Sequence, residues 1–173
     1  VREASIQQCV GGNIPIVRAM PNTPALIGCG ATALFANKFT SPEQHQLAES
    51  ILRSVGIVVW LETEKLMDVV TALSGSGPAY FYLLIEAMQT AAEQLGLPRD
   101  IARQLTLQTA YGAGRLAVES DKEAAELRQQ AMTPGGTTEQ AIGVLEKNQL
   151  RKIIAEALNA AATRATELGT ASS

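Results

Sequence analysis

The chain has 173 residues, room for one ordinary domain or a small domain and part of a second; 46% are apolar and 18% charged, the balance of a folded chain. Its net charge is −3 with scattered positive residues, so it lacks the basic face from which a nucleic-acid binder draws most of its affinity. No apolar run approaches the ~20 residues that span a bilayer, which argues against membrane insertion. Aromatic residues are only 4%, while Ala and Leu abound, a composition for close helix packing rather than a β-sandwich. Cys9 and Cys29 have the spacing of neither a zinc site nor a redox pair, so no metal is expected. Both are expected buried and reduced, in a cytoplasmic protein. The sequence opens at Val1 without a methionine or a targeting segment and reads as a truncation.

In chain order, Ile14–Met20 is β-branched and apolar between Gly11-Gly12 and Pro21, and predicts a buried strand. Ala31–Ala36 predicts a second. Ser41, Pro42 and Gln44 form a helix start with a capping box, and that helix should run to about Val55 and stop at Gly56. Ile57–Leu61 reads as a third strand. After Leu61 the strand signals vanish. Helices are expected over 64–73, 79–95, roughly 99–119, and from a Ser120/Glu123 capping signal to about Ala131. Thr137 with Gln140 resembles another capping box. A last helix carries Leu150, Ile153, Ile154, Ala157, Leu158 and Leu168 on one face, and Gly169–Ser173 reads as a disordered tail. Helix 79–95 is apolar on nearly every face and should be buried, centrally or against a second subunit. The fold class is therefore a partial α/β unit, residues 1–61, followed by an all-α domain, residues 62–173.

Three loops could carry chemistry. Met20-Pro21-Asn22-Thr23-Pro24 follows a buried strand, the place where open α/β folds bind ligands, and it reads either as a rigid polar binding loop or as a plain turn. Ser74-Gly75-Ser76-Gly77-Pro78 heads the apolar helix and suits close backbone approach to a ligand or an interdomain hinge. Thr133-Pro134-Gly135-Gly136-Thr137-Thr138 precedes a helix whose free amides and dipole favour a carboxylate, and anion binding is the preferred reading over a mere turn. Gly112-Ala113-Gly114-Arg115-Leu116-Ala117 matches a dinucleotide pattern but lies inside a helical stretch, so close helix packing is the better reading. His45 sits among polar residues and reads as solvated. With no triad, paired carboxylates or metal cluster, the hard chemistry of any enzyme here belongs to a cofactor.

In this order, RAMPNTP, LSGSGPAYFY and MTPGGTTEQAIGVLE resemble the motifs of pyrroline-5-carboxylate reductases, and the likeness extends from Ile14 to Leu168. The resemblance implies a partial Rossmann-like nucleotide-binding unit and a helical dimerisation domain that interlocks with its partner's, giving a homodimer or higher homo-oligomer. It implies NADPH or NADH as cofactor and reduction of pyrroline-5-carboxylate to proline. Carried over by motif, Met20, Pro21, Asn22, Thr23 and Pro24 border the nicotinamide. The amides of Gly136 and Thr137 hold the substrate carboxylate, and the Thr138 hydroxyl serves the ring nitrogen as the catalytic group. Thr133, Ser74, Ser76 and Gly77 shape the wall, completed across a dimer, and Asp121 is a weaker candidate beside the nitrogen.

The family's N-terminal glycine-rich loop has no counterpart here, so the chain alone is expected to dimerise without turning over. Two other readings stand beside this one. A related hydroxy- or keto-acid dehydrogenase commonly needs a lysine for proton transfer, and Lys38, Lys65, Lys122, Lys147 and Lys152 all lie in polar settings. The other is a non-catalytic oligomerisation module.

Overall fold

Helix α1, Glu3–Val10, opens the described chain, which is residues 2–171 of a computed structural model. The sequence gives this helix no cap, and long-range bonds hold it instead. The Glu3 N–H donates to Glu64 Oε1 at 2.8 Å, and Gln7 Nε2 donates to the Ile14 carbonyl at 2.8 Å. Strand β1 is shorter than expected, Val17–Met20. Residues 14–16 are tied instead by side chains, those of Gln7 and Thr40 and above all Asn37, which is 8% exposed. Its Oδ1 accepts from the Ile16 N–H at 3.1 Å, and its Nδ2 donates to the Ile14 carbonyl and Glu3 Oε1, each at 2.9 Å.

Strands β2, Gly30–Ala36, and β3, Gly56–Trp60, complete a three-stranded sheet in the order β1-β2-β3. β1 runs antiparallel to β2, with Met20 opposite Ala33; β3 runs parallel to β2, with Gly30 opposite Gly56. Side-chain alternation places Arg18, Met20, Ala33 and Phe35 on one face and Thr32, Leu34, Val58 and Trp60 on the other. The best-buried side chains, Leu34, Met67 and Thr32, lie in β2 or in α3, which contacts it.

Helix α2, Pro42–Arg53, starts at the expected Ser41–Gln44 capping box. It ends at Ser54, three residues after Ile51, so Gly56 does not stop it: that glycine is the first residue of β3. His45 is half-buried rather than solvated, its ring stacked on Trp60 with centroids 4.4 Å apart. Trp60 Nε1 donates to Glu49 Oε2 at 2.8 Å. That bond, and then the bond from Arg53, hold the Glu49 carboxyl below the usual carboxylate range. Its contribution to stability is therefore complete above the ordinary carboxylate pKa and disappears as pH falls through the depressed value. Fluorescence of Trp60, the sole tryptophan, should change over that acidic window in the native protein and lose that transition in Glu49→Gln.

The expected helix over 64–73 is split into α3, Leu66–Val70, and a π-helical turn, Thr71–Gly75. Then follow α4, Gly77–Gln94, α5, Arg99–Glu119, α6, Ala124–Gln130, α7, Thr137–Lys147, and α8, Leu150–Ala171. The cap of α6 is Glu123, whose N–H donates to Glu126, and not Ser120. Helix α8 runs through Gly169 to Ala171, correcting the expectation of a disordered tail there; Ser172 and Ser173 lie outside the described residues. Cys9 and Cys29 are both exposed, not buried. No described helix is long and apolar enough to cross a membrane.

The residues group into two compact units, Val1–Ala79 with Ala155–Ser173, and Tyr80–Ile154. In the second unit the apolar face of α4 is bare: Phe81 and Leu83 are each 67% exposed, and Tyr82, Leu84 and Met88 are also exposed. Among the described residues, then, this helix is not centrally buried. Likewise a Cβ added at Gly112 or Gly114 of α5 would meet no heavy atom within 4 Å, so the described chain supplies no partner for that small-residue stretch.

Candidate active site

β1 ends at Met20, and Pro21 follows it. The chain then turns through a 3-10 segment, Thr23–Ile27. Asn22 points inward. Its Oδ1 accepts from the Ala31 N–H at 2.9 Å and its Nδ2 donates to the Ser74 carbonyl at 3.1 Å. Its side chain is therefore engaged in holding the loop, while Pro21 and Thr23 stay exposed on the outer side.

The π-helical turn lies against this loop. A Cβ on Gly75 would stand 2.5 Å from Met20 Cε, so the absence of a side chain at 75 lets Met20 lie over the turn. Two of the three predicted loops are thus brought together in the first unit. Within the second of them, Ser74 Oγ donates back to the Val70 carbonyl at 3.1 Å, and the Ser76 hydroxyl makes no hydrogen bond among the described residues. Gly77 is buried, yet a Cβ there would meet no heavy atom within 4 Å, leaving an open notch against the backbone at the head of α4.

The third loop belongs to the second unit. Its helix begins one residue earlier than the capping-box reading placed it. Gly136 is the N-cap, Thr137 is the first helical residue, and no side chain caps the start. The Gly136 N–H donates to the Thr133 carbonyl at 2.8 Å, and the Gly135 N–H to Glu139 Oε2 at 2.7 Å. The amides of the first helical residues, Thr137, Thr138 and Glu139, have no acceptor within the helix. Both threonines are exposed, as are Thr133 and Asp121. A Cβ on Gly136 would come within 2.9 Å of the Thr133 carbonyl, so the tight turn requires glycine.

A cavity of about 550 Å³ also opens in the first unit, among Arg2, Arg18, Glu64 and Asp68. Four of its charges are paired, Arg18 with Glu64 at 3.0 Å and Arg2 with Asp68 at 3.4 Å, and Glu62 and Lys65 also line it. Among the described residues no group of three or more His, Cys, Asp or Glu is placed to hold a metal.

A family model described as pyrroline-5-carboxylate reductase dimerisation matches residues 64–168, more than half of the chain. The chain belongs to the pyrroline-5-carboxylate reductase family. It is 50% identical over 165 residues to the pyrroline-5-carboxylate reductase of Pseudomonas aeruginosa, covering 95% of this chain and 60% of that one. It is 48% identical over 154 residues to the one from Synechocystis, covering 89% and 57%. It thus spans less than two thirds of the length of these relatives. Among solved structures it resembles a pyrroline-5-carboxylate reductase from Coxiella burnetii, with TM-score 0.91, 52% identity and 94% and 60% of the two chains covered. It also resembles pyrroline carboxylate reductase of Plasmodium falciparum with NADP bound, with TM-score 0.88, 34% identity and 98% and 68% covered.

For this member of the reductase family the sequence motifs pick out loops, and the structure adds the link between two of them. The carbonyl of Ser74 and the bare backbone of Gly75 are partners of Asn22 and Met20 across 52 and 55 residues of sequence. The one local signal for that link is Pro78, which denies the Ser74 carbonyl its helical donor.

Proposed function

We propose that this chain is the part of a pyrroline-5-carboxylate reductase that binds the substrate, borders the nicotinamide and dimerises, in the reduction of 1-pyrroline-5-carboxylate to L-proline. The observation that carries this reading is the uncapped start of α7. Amides without a helical acceptor, those of Thr137 and Thr138 among them, and the Thr138 hydroxyl stand there behind a Gly-Gly turn, inside the stretch that the family model covers. A small anionic imine needs a carboxylate clamp and a donor at nitrogen. The amides of Thr137 and Thr138 hold the carboxylate, aided by the helix dipole, with Gly136 and Thr133 forming the turn that lets it approach. The Thr138 hydroxyl bonds the ring nitrogen, and Asp121 is the weaker candidate on that side.

Met20, Pro21, Asn22, Thr23 and Pro24 border the nicotinamide, with Ser74, Ser76 and Gly77 as the adjoining wall. The notch at Gly77 is the feature that suits a flat ring, and the free hydroxyl of Ser76 makes it a better contact than Ser74. When bound, NADPH or NADH supplies the hydride to the ring carbon of the C=N bond, and the nitrogen takes up a proton. The start of α7 is the part that holds the substrate, and the Met20–Pro24 loop with the Ser74–Gly77 wall is the part that borders the nicotinamide.

Residues 1–61 then form the closing part of a Rossmann-like domain and 62–173 the helical dimerisation domain, a division supported by the start of the family match at residue 64. The bare face of α4 supports a homodimer. Of the two G-x-G-x-x-A patterns, Gly28–Ala33 runs into β2 and Gly112–Ala117 lies inside α5; neither follows a strand and opens a helix, so these residues carry no dinucleotide phosphate loop and by themselves dimerise without turning over.

The test is a fusion of this chain behind the N-terminal part of the Pseudomonas relative that it does not cover. NADPH consumption and proline formation with pyrroline-5-carboxylate are expected from the fusion and not from the 173 residues alone. A dimeric, folded fusion that binds NADPH and forms no proline would favour the oligomerisation module.

A further inference from the structure

Two backbone groups in the first unit lack their regular partners, one just past the end of β1 and one four residues before Pro78. In the antiparallel register that sets Met20 against Ala33, the next ladder position sets residue 22 against Ala31, beyond Pro21, where β1 has ended. In a regular helix the Ser74 carbonyl would accept from residue 78, and Pro78 has no N–H. The chain widens there into the π-helical turn, closed by the Ser76 N–H on the Thr71 carbonyl at 2.8 Å, a five-residue step that leaves the Ser74 carbonyl outside the ladder. Both orphaned groups end on one side chain. Asn22 Oδ1 takes the Ala31 N–H and Asn22 Nδ2 serves the Ser74 carbonyl.

We propose that Asn22 is a positioning residue that fixes the Met20–Pro24 loop against the Thr71–Gly75 turn and so sets the distance between the nicotinamide border and the substrate wall. The proposal rests on the function proposed above. Only a carboxamide fits the place, because one end must accept and the other must donate. The contact of Met20 Cε over Gly75 is the apolar half of the same junction, made possible by the missing Cβ. Both ends of the Asn22 carboxamide are engaged within the protein, so its side chain serves the loop rather than a reactant. It acts through Ser74 and through the loop backbone, and a displacement of about 1 Å between such walls can cost ~100-fold in rate.

Asn22→Asp separates the two arms: it keeps an oxygen for the Ala31 N–H and sets a carboxylate against the Ser74 carbonyl. In the 173-residue chain, amide hydrogen exchange should quicken at Ser76, the donor that closes the π-turn, and stay unchanged at Ala31. In the fusion, kcat should fall about tenfold or more, while KM for pyrroline-5-carboxylate, whose clamp is on α7, moves less than about threefold. Exchange at Ser76 equal to that of the parent chain, kcat within about twofold of the parent fusion, or exchange quickened equally at Ala31 and Ser76 with a lowered melting temperature would each overturn the proposal. An inactive parent fusion sinks the proposed function instead, and the exchange measurement then decides whether Asn22 fixes the turn.

Discussion

Gly56→Ala should cost about 3–5 kcal/mol, a large part of the stability of an ordinary domain, and should abolish the native fluorescence of Trp60 at modest urea concentrations. The reason is local. Gly56 has φ +151°, and a Cβ there would overlap the carbonyl of Gly30, its partner across the parallel ladder. The neighbour is backbone, which cannot swing aside as a side-chain tip can. Gly30 is equally confined, its own added Cβ falling 2.8 Å from the Val55 carbonyl. The two strands therefore meet without side chains at the point where α2 hands the chain to β3. Gly28→Ala is the control: its φ is +74°, but nothing stands within 4 Å, so only the left-handed backbone cost of about 1–2 kcal/mol should appear. Urea midpoints of the two variants that differ little would disprove the steric argument.

In the fusion with the N-terminal part of the Pseudomonas relative, Thr138→Ala should lower kcat about 100-fold, the scale of a single donor removed from a reacting centre. KM for pyrroline-5-carboxylate should change much less, since alanine retains the backbone amide proposed to hold the carboxylate. Thr138→Ser should recover most of the rate. Light scattering should give the same dimer mass for all three proteins. A variant with normal turnover and lost assembly would instead mark Thr138 as structural.

The reading of the chain in sequence succeeded where the signal is local. Ser41, Pro42 and Gln44 announce α2 by their own chemistry, and the capping box is present. The period-2 and helical patterns place β2, α5 and α8 to within a few residues. It failed where distant residues decide. α1 is held by Glu64 and Ile14, and residues 14–16 by Asn37, none of which a window of neighbours can show. Gly56 looked like a helix stop because glycine after an amphipathic run usually is one; the close approach of Gly30 is invisible in one dimension. His45 sits in a polar stretch, yet its stacking partner lies on another element.

The candidate site shows the same division. The glycines and prolines that free or block backbone groups are legible in PNTP, SGSGP and TPGGTT. Which amide remains free is not, because the Gly136 N–H is turned onto Thr133 and the cap falls one residue before Thr137.

The second unit has a consequence for how the protein comes into being. Among residues 80–154 only Ala102 and Thr106 are buried, while the long apolar side chains of α4 lie open to water. Such a stretch has almost no interior with which to offset the entropy of ordering its helices, so in the proposed homodimer its folding and its pairing with a second copy become a single event. Its refolding rate should rise with protein concentration and its melting temperature with it. Diluting the protein will then destabilise this region as surely as heating it.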